Sequence, residues 1–425
     1  MGYNFFNIKE VPEAANRKLN EFRASLGSAV SEGKEISFAD NDINYAHKLQ
    51  HERLEEKGLE LDYEIYSRNE RDRFISASNW ADAHYNSTVC FNFCGVKRKV
   101  TRDGKRRFGD DKRSVLYETV TDVVSGAHPD NDAINCPNCG APSTVAGLQN
   151  GCEYCGTRYQ MDDLFTKVSA YYFLEDASMN KKEFWRGYLI FYPITFVIMY
   201  LIACILNGPV YLPWNLFANP RDLIGSIIGF SIGSFFCAYV IYAYFLLFRL
   251  VVKAIASAGK MGTAGSRKRF EARMKRISPE FSYQYFTSKA ISLIKTAIFS
   301  KDEKELVFYQ GEALNPNMKN IIDLNYGGAL GCKSFTDNGN YVTVVTKAYF
   351  DVLYAEENRI YAKSRVFSAT FKRRTDLPVN LNFSMTRISC PSCGSSFDAT
   401  KNKNCPYCGN EYEITSDDWA LIELK

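Results

Sequence analysis

Eight of the chain's 13 cysteines fall into two matching phrases. Cys136 and Cys139 precede Cys152 and Cys155, and Cys390 and Cys393 precede Cys405 and Cys408. Each Cys-x-x-Cys turn aims two sulfurs at one point, and the glycine after each second cysteine permits the positive φ the turn needs. Two such turns supply the four ligands of a tetrahedral Zn2+ and leave no position for water. The expected metals are therefore two structural zinc ions rather than catalytic ones. In a chain of 425 residues, this usage suits metal binding in a reducing compartment better than a disulfide scaffold.

Other groups offer less. His47 and His51 lie four apart on an expected helix, but a third ligand is missing, so the reading is an exposed polar face. Cys90 and Cys94 alternate with Phe91 and Phe93 and read as buried structural thiols. Cys332 reads as buried or incidental. The stretch "GKMGTAGS" lacks the Gly-Lys-Ser/Thr end of a phosphate-binding loop. No acid–base pair stands out, so the chain reads as a non-enzyme. The net charge of +4 is small, and "PSTVAGLQNG" between the first knuckles carries no cation, which argues against nucleic acid as the partner.

Two stretches, "GYLIFYPITFVIMYLIACIL" (187–206) and "LIGSIIGFSIGSFFCAYVIYAYFLLF" (223–248), contain no charge. A bilayer crossing takes about 20 apolar residues, so a transmembrane hairpin is expected over 187–250, turning through Pro209, Pro213, Trp214 and Pro220. Lys181, Lys182 and Arg186 precede it, and Arg249, Lys253, Lys260 and "SRKRFEARMKR" follow. The connection offers only Arg221 beside Asp222. The positive-inside rule then puts both termini in the cytoplasm and leaves the sequons at Asn86 and Asn382 unused. Residues 251–276 read as a basic juxtamembrane linker. Its Arg267, Lys268, Arg269, Arg273, Lys275 and Arg276 are expected to meet anionic lipid head groups. A second basic run, 97–113, holds nine basic and three acidic residues and reads as a solvated hairpin. Gly225, Gly229 and Gly233 share one helix face, which suits packing against the first span or pairing of two copies as a homodimer.

The elements around the knuckles recur. Helical patterns open each half, "EAANRKLNEFRASLGSAV" with "INYAHKLQHERLEEKG" in the first and "SYQYFTSKAISLIKTAIF" in the second. In the latter, Phe286, Ile291, Ile294 and Ile298 keep helical spacing. Alternating β runs follow, with a turn at Asp103-Gly104 in the first half; then come the knuckles, an acidic pair and an apolar run. The expectation is an α+β fold of two cytoplasmic modules, each with helices on a curved antiparallel sheet and each ending in a zinc ribbon, on either side of a two-helix membrane hairpin. The boundaries read as an N-terminal module at 1–133, proposed as a diverged duplicate of the later one, and the first ribbon with its tail at 134–180. The hairpin and linker follow, then a second module at 277–387 and the second ribbon at 388–425.

The stretch "ISPEFSYQYFTSKAISLIKTAIFSKDEKELVFYQGEALNPNM" within 277–387 resembles the family of the peripheral tether of the mitochondrial inner-membrane import translocase, Tim-forty-four. Bacterial membrane proteins join this kind of domain to a ribbon ending in Asp-Trp, as at Asp418-Trp419. The resemblance implies a cone like nuclear transport factor two, with a pocket between helices and sheet and a role in membrane-linked tethering or protein transport. It would leave Tyr349 and Phe371 on a concave face open to a partner. The function expected is a membrane-anchored scaffold presenting protein- or lipid-binding modules. The alternatives are a small-ligand sensor or enzyme using the cone pocket, and a membrane-held nucleic-acid binder.

Overall fold

The computed structural model describes residues 13–67, 76–81, 85–123, 133–136, 139–144, 147, 152–155, 167–176, 181–207, 220–261, 263–279, 281–357, 359–376, 388–397, 402–416 and 418–425. The interfacial turn expected at Pro209 to Trp214, the acidic pair Asp162-Asp163, and the sequon at Asn382 lie outside these residues. The chain divides into two units, residues 1–176 with 262–425, and residues 177–261.

In the larger unit, α1 (Glu13–Glu32) and α2 (Asn41–Glu56) lead into β1 (Glu60–Tyr66), β2 (Ser76–Ala81), β3 (Tyr85–Arg102) and β4 (Lys105–Val123). β1 and β2 share one edge of β3, and β4 pairs on its other side. The β3–β4 turn falls on Asp103 and Gly104, with φ of 52° and 68°, the left-handed pair that a tight hairpin requires. Leu19, Phe22 and Leu26 of α1 pack on Cys90, Cys94, Val96 and Leu116, so the thiols at 90 and 94 are core side chains on one face of the alternating strand.

The second half follows the same plan. It contains α6 (Tyr283–Phe299), β8 (Ile321–Asp337), β9 (Tyr341–Ala355) and β10 (Ile360–Arg374). Phe286, at the middle of its core, meets Trp419 at 4.8 Å and Phe371 at 5.7 Å, both edge to face. Phe371 is 0 % exposed, because α6 covers the sheet face on which a partner was expected; Tyr349 is half-buried.

Around the first knuckle of each pair β5 (Ala133–Asn135) pairs with β6 (Pro142–Thr144) and β11 (Ile388–Ser389) with β12 (Ser396–Phe397), and after each pair of knuckles the chain returns to the sheet it left. β7 (Lys167–Glu175) pairs antiparallel with β4, and β13 (Ala420–Leu424) pairs antiparallel with β10. Both ladders carry a bulge, at Thr119/Val120 and at Thr370/Phe371. Both returning strands also accept a parallel bridge from a segment upstream of the sheet, Ala39 to Val168 and Tyr309 to Leu421. The order helix, bridging segment, strands, knuckles and returning strand thus occurs twice, with α2 standing between the bridging segment and the strands in the first half.

The two halves are joined through a seam. Asn325 of β8 turns its side-chain amide onto the edge of β7: Nδ2 donates to Phe173 O at 2.6 Å, and Oδ1 accepts from Phe173 N at 2.9 Å. Gly328, at φ 72°, lets β8 approach β7, where a Cβ would stand 3.2 Å from Leu174. Asn325→Ala leaves that strand edge with a buried donor and acceptor unmade. It is expected to cost about 2–4 kcal/mol, read as a lower denaturant midpoint at unchanged slope.

The stretch expected as a basic juxtamembrane linker is helical from Thr263 to Ile277. α5 (Thr263–Ile277) buries Phe270 and Met274, one turn apart, against Phe281 and Phe286. Its cations divide accordingly: Arg267 stacks on Tyr283 at 4.3 Å, whereas Lys268, Arg269, Lys275 and Arg276 are exposed.

The smaller unit pairs α3 (Lys181–Asn207) with α4 (Pro220–Met261). The segments Phe184–Leu206 and Ile224–Arg249 are long and apolar enough to cross a membrane, and 6% and 11% of their apolar windows are buried. Core helices of a water-soluble protein would hide such surface. Tyr188 packs on Ala238 and Tyr242 and donates to Phe235 O at 2.8 Å. The glycine stripe does not serve this packing: a Cβ at Gly225, Gly229 or Gly233 would meet nothing within 4 Å.

Candidate metal centres and the buried seam

Each set of four cysteines converges, with all four sulfurs within 4.8 Å of one another. Two edges of each cluster measure 3.7 Å (Cys136–Cys155) and 3.6 Å (Cys139–Cys152), then 3.6 Å (Cys390–Cys408) and 3.7 Å (Cys393–Cys405). A tetrahedron with metal–sulfur bonds of about 2.3 Å has edges of about 3.8 Å, so both clusters fit such an ion. The local cause is a repeated backbone turn. Cys136, Cys390 and Cys405 each accept from the glycine four residues on at 2.8 Å, and Gly140, Gly394 and Gly409 hold φ of 71–76°. A Cβ would meet nothing at these glycines, so the dihedral alone selects them.

The clusters differ in their surroundings. Cys390 and Cys405 belong to the same core as Phe397, Tyr412, Ile414 and Trp419. Within the first cluster, Cys136 and Cys152 are buried, but the described hydrophobic clusters do not include them. The second knuckle of each cluster presents a tyrosine between its cysteines: Tyr154 is 72% exposed and Tyr407 71% exposed.

The seam is built around two charged residues absent from any motif. Asp323 of β8 accepts from Arg98 Nη1 at 2.8 Å, Gln50 Nε2 at 3.1 Å and the Tyr63 hydroxyl, all from the first half. Arg98 also forks onto Asp110 at 3.0 and 2.6 Å. Lys289 of α6 reaches Asp42 at 2.7 Å and Asp418 at 3.3 Å, and Asp418 accepts from the Tyr285 hydroxyl at 2.7 Å. Burial alone would lower the Lys289 amine, but Asp42, Tyr285 and Asp418 hold it well above the usual range. Asp42 is pushed up, because burial outweighs the attraction of Lys289.

His47 is not on an exposed face. It is 7% exposed and contacts the Tyr171 hydroxyl through Nε2, and burial, reinforced by Lys295, pushes its imidazole down to about 3. His51 instead faces Val30 O and Glu55, so the pair shares no ion site.

No protein-family model matches the chain, and neither a curated protein nor a solved structure is significantly similar to it. The knuckle cysteines were readable because their ligand spacing is local. Asp323 and Lys289 were not singled out, although one signal was available. Lys289 interrupts the apolar face of "SKAISLIKTAIF", and a charge placed there demands a buried partner.

Proposed function

We propose that the chain is a membrane-anchored, non-enzymatic scaffold, held by the α3–α4 pair with both termini in the cytoplasm and carrying one Zn2+ in each four-cysteine cluster. What supports this most is the way each cluster closes the connection between two neighbouring strands of one sheet. A metal there staples a rigid surface that displays an exposed tyrosine. All four ligand positions belong to the protein, as a structural site requires. The charge flanking the apolar helices favours the cytoplasmic placement, and the exposed cations of α5 suit anionic head groups. Protein transport or envelope organisation is the process this architecture suits, through a protein partner of the unit that carries the clusters.

Metal analysis of the purified full chain is expected to give two zinc per chain, and a reporter at either terminus to read cytoplasmic. A photocrosslinker at Tyr407 or Tyr154 is expected to capture one protein repeatedly. Recovery of only nucleic acid, or far less metal, would end this reading.

The open stripe of Gly225, Gly229 and Gly233 suits pairing with a second copy. Gly229→Leu is expected to weaken self-association in lipid vesicles more than tenfold, about 1.4 kcal/mol, read by energy transfer between labelled copies. Unchanged transfer would remove the stripe from the interface.

A further inference from the structure

A cavity of ≈ 40 Å³ lies between α6 and the sheet of the first half. At 10–15 Å³ for each water, that is room for about three waters. Four charged residues line it, and each lysine is already held by a carboxylate, Lys289 by Asp418 at 3.3 Å as well. Lys167 meets Asp40 at 3.2 Å, and Lys289 meets Asp42 at 2.7 Å. The rest of the wall is dense in hydroxyls: Ser87, Thr121 and Ser169 from three strands, and Ser282, Ser288 and Ser292 from α6 or its cap. Thr121 and Ser169 are tied to each other at 2.8 Å. Ser288 is 8% exposed, and its Oγ has no partner among the described residues. A buried hydroxyl left unpaired is costly, so its orientation toward this space calls for a polar occupant.

The wall also limits what the occupant is. A charged ligand would have to displace a partner from the Lys167–Asp40 pair or from the Lys289–Asp42–Asp418 group to find a counter-charge. Hydroxyls both donate and accept, and a neutral ligand that does the same needs no such rearrangement. The volume admits only a few heavy atoms. We infer that the cavity is a binding site for a small neutral polyol of two or three carbons, set between α6 and the first-half sheet. Neither the metal clusters nor the membrane helices require such a site.

Saturation-transfer NMR on the detergent-solubilised full chain tests this directly, with glycerol, glycine and methylammonium as probes. Glycerol is expected to give a saturable signal with a dissociation constant in the millimolar range. Ser288→Ala and Thr121→Val, which delete a hydroxyl without adding bulk to the cavity, are expected to weaken it at least tenfold while metal content and melting cooperativity persist. No saturable glycerol signal from the native chain would mean that the cavity holds only water, and would overturn the inference. So would binding unchanged in both variants, or glycine or methylammonium binding more tightly than glycerol. The native titration decides the matter even where a variant fails to fold.

Discussion

Cys405→Ser is expected to unfold the C-terminal half, whereas Cys152→Ser is expected to leave the larger unit folded. Both variants should lose one metal per chain. The difference lies in what each cluster holds in place. Cys390 and Cys405 pack in one core with Phe397, Tyr412, Ile414 and Trp419, and Trp419 sits against Phe286 at the centre of the half. β13 begins at Ala420, immediately after that tryptophan. Without the metal, the segment that delivers both the tryptophan and the strand loses its anchor. Structural zinc contributes about 10–16 kcal/mol of apparent binding energy in isolated fingers, comparable with the 5–15 kcal/mol that holds a whole domain. The first cluster makes no comparable contribution to the described cores, and β7 keeps its long ladder with β4 and the amide of Asn325. Thermal melts followed by tryptophan fluorescence, with metal content measured in parallel, separate the cases. Equal losses of melting temperature in the two variants would refute the asymmetry.

What could be read from the sequence was local. The knuckles declare themselves within four residues, and the β3–β4 and β9–β10 hairpins through alternation and turn residues. β8 escaped notice because Gly327, Gly328 and Gly331 interrupt its pattern, and the ladder shifts register three times along it. α5 read as a linker because its charge density hid the spacing of Phe270 and Met274. The merging of both halves into one unit depends on partners far apart in the chain. Asp323 is held by Gln50, Tyr63 and Arg98, and nothing in the neighbourhood of any of these residues announces the others. His47 was misread for the same reason, since its contact is Tyr171. Matching bulges and matching parallel bridges tie the strand after each cysteine cluster to its sheet in the same way, a likeness that composition does not display.

The other large effect is expected at Lys289. Lys289→Met keeps the length and most of the volume of the side chain but leaves Asp42 and Asp418 facing each other without the amine that joins them. Removing one partner of a buried ion pair typically costs about 3–5 kcal/mol. Here two carboxylates are left, one from the first half and one from the segment that carries β13, so the loss should appear both in overall stability and in the docking of the halves. The pH dependence identifies the cause. Burial already raises Asp42 above its ordinary value of 3.8, and loss of the amine raises it further. A carboxyl whose folded-state pKa is raised favours the folded form when protonated and opposes it when ionised. The deficit of the variant should therefore be largest at neutral pH and shrink as acidification toward pH 4 lets Asp42 take up a proton. The native chain behaves differently at the alkaline end. Its raised Lys289 contributes stability that is complete below the ordinary amine pKa of 10.5 and is lost only above it. Denaturant titrations of both proteins from pH 4 to 8 read the shrinking of the deficit directly. A deficit independent of pH would assign the loss to packing around the methionine, and the ion pair would no longer explain how the two halves are held together.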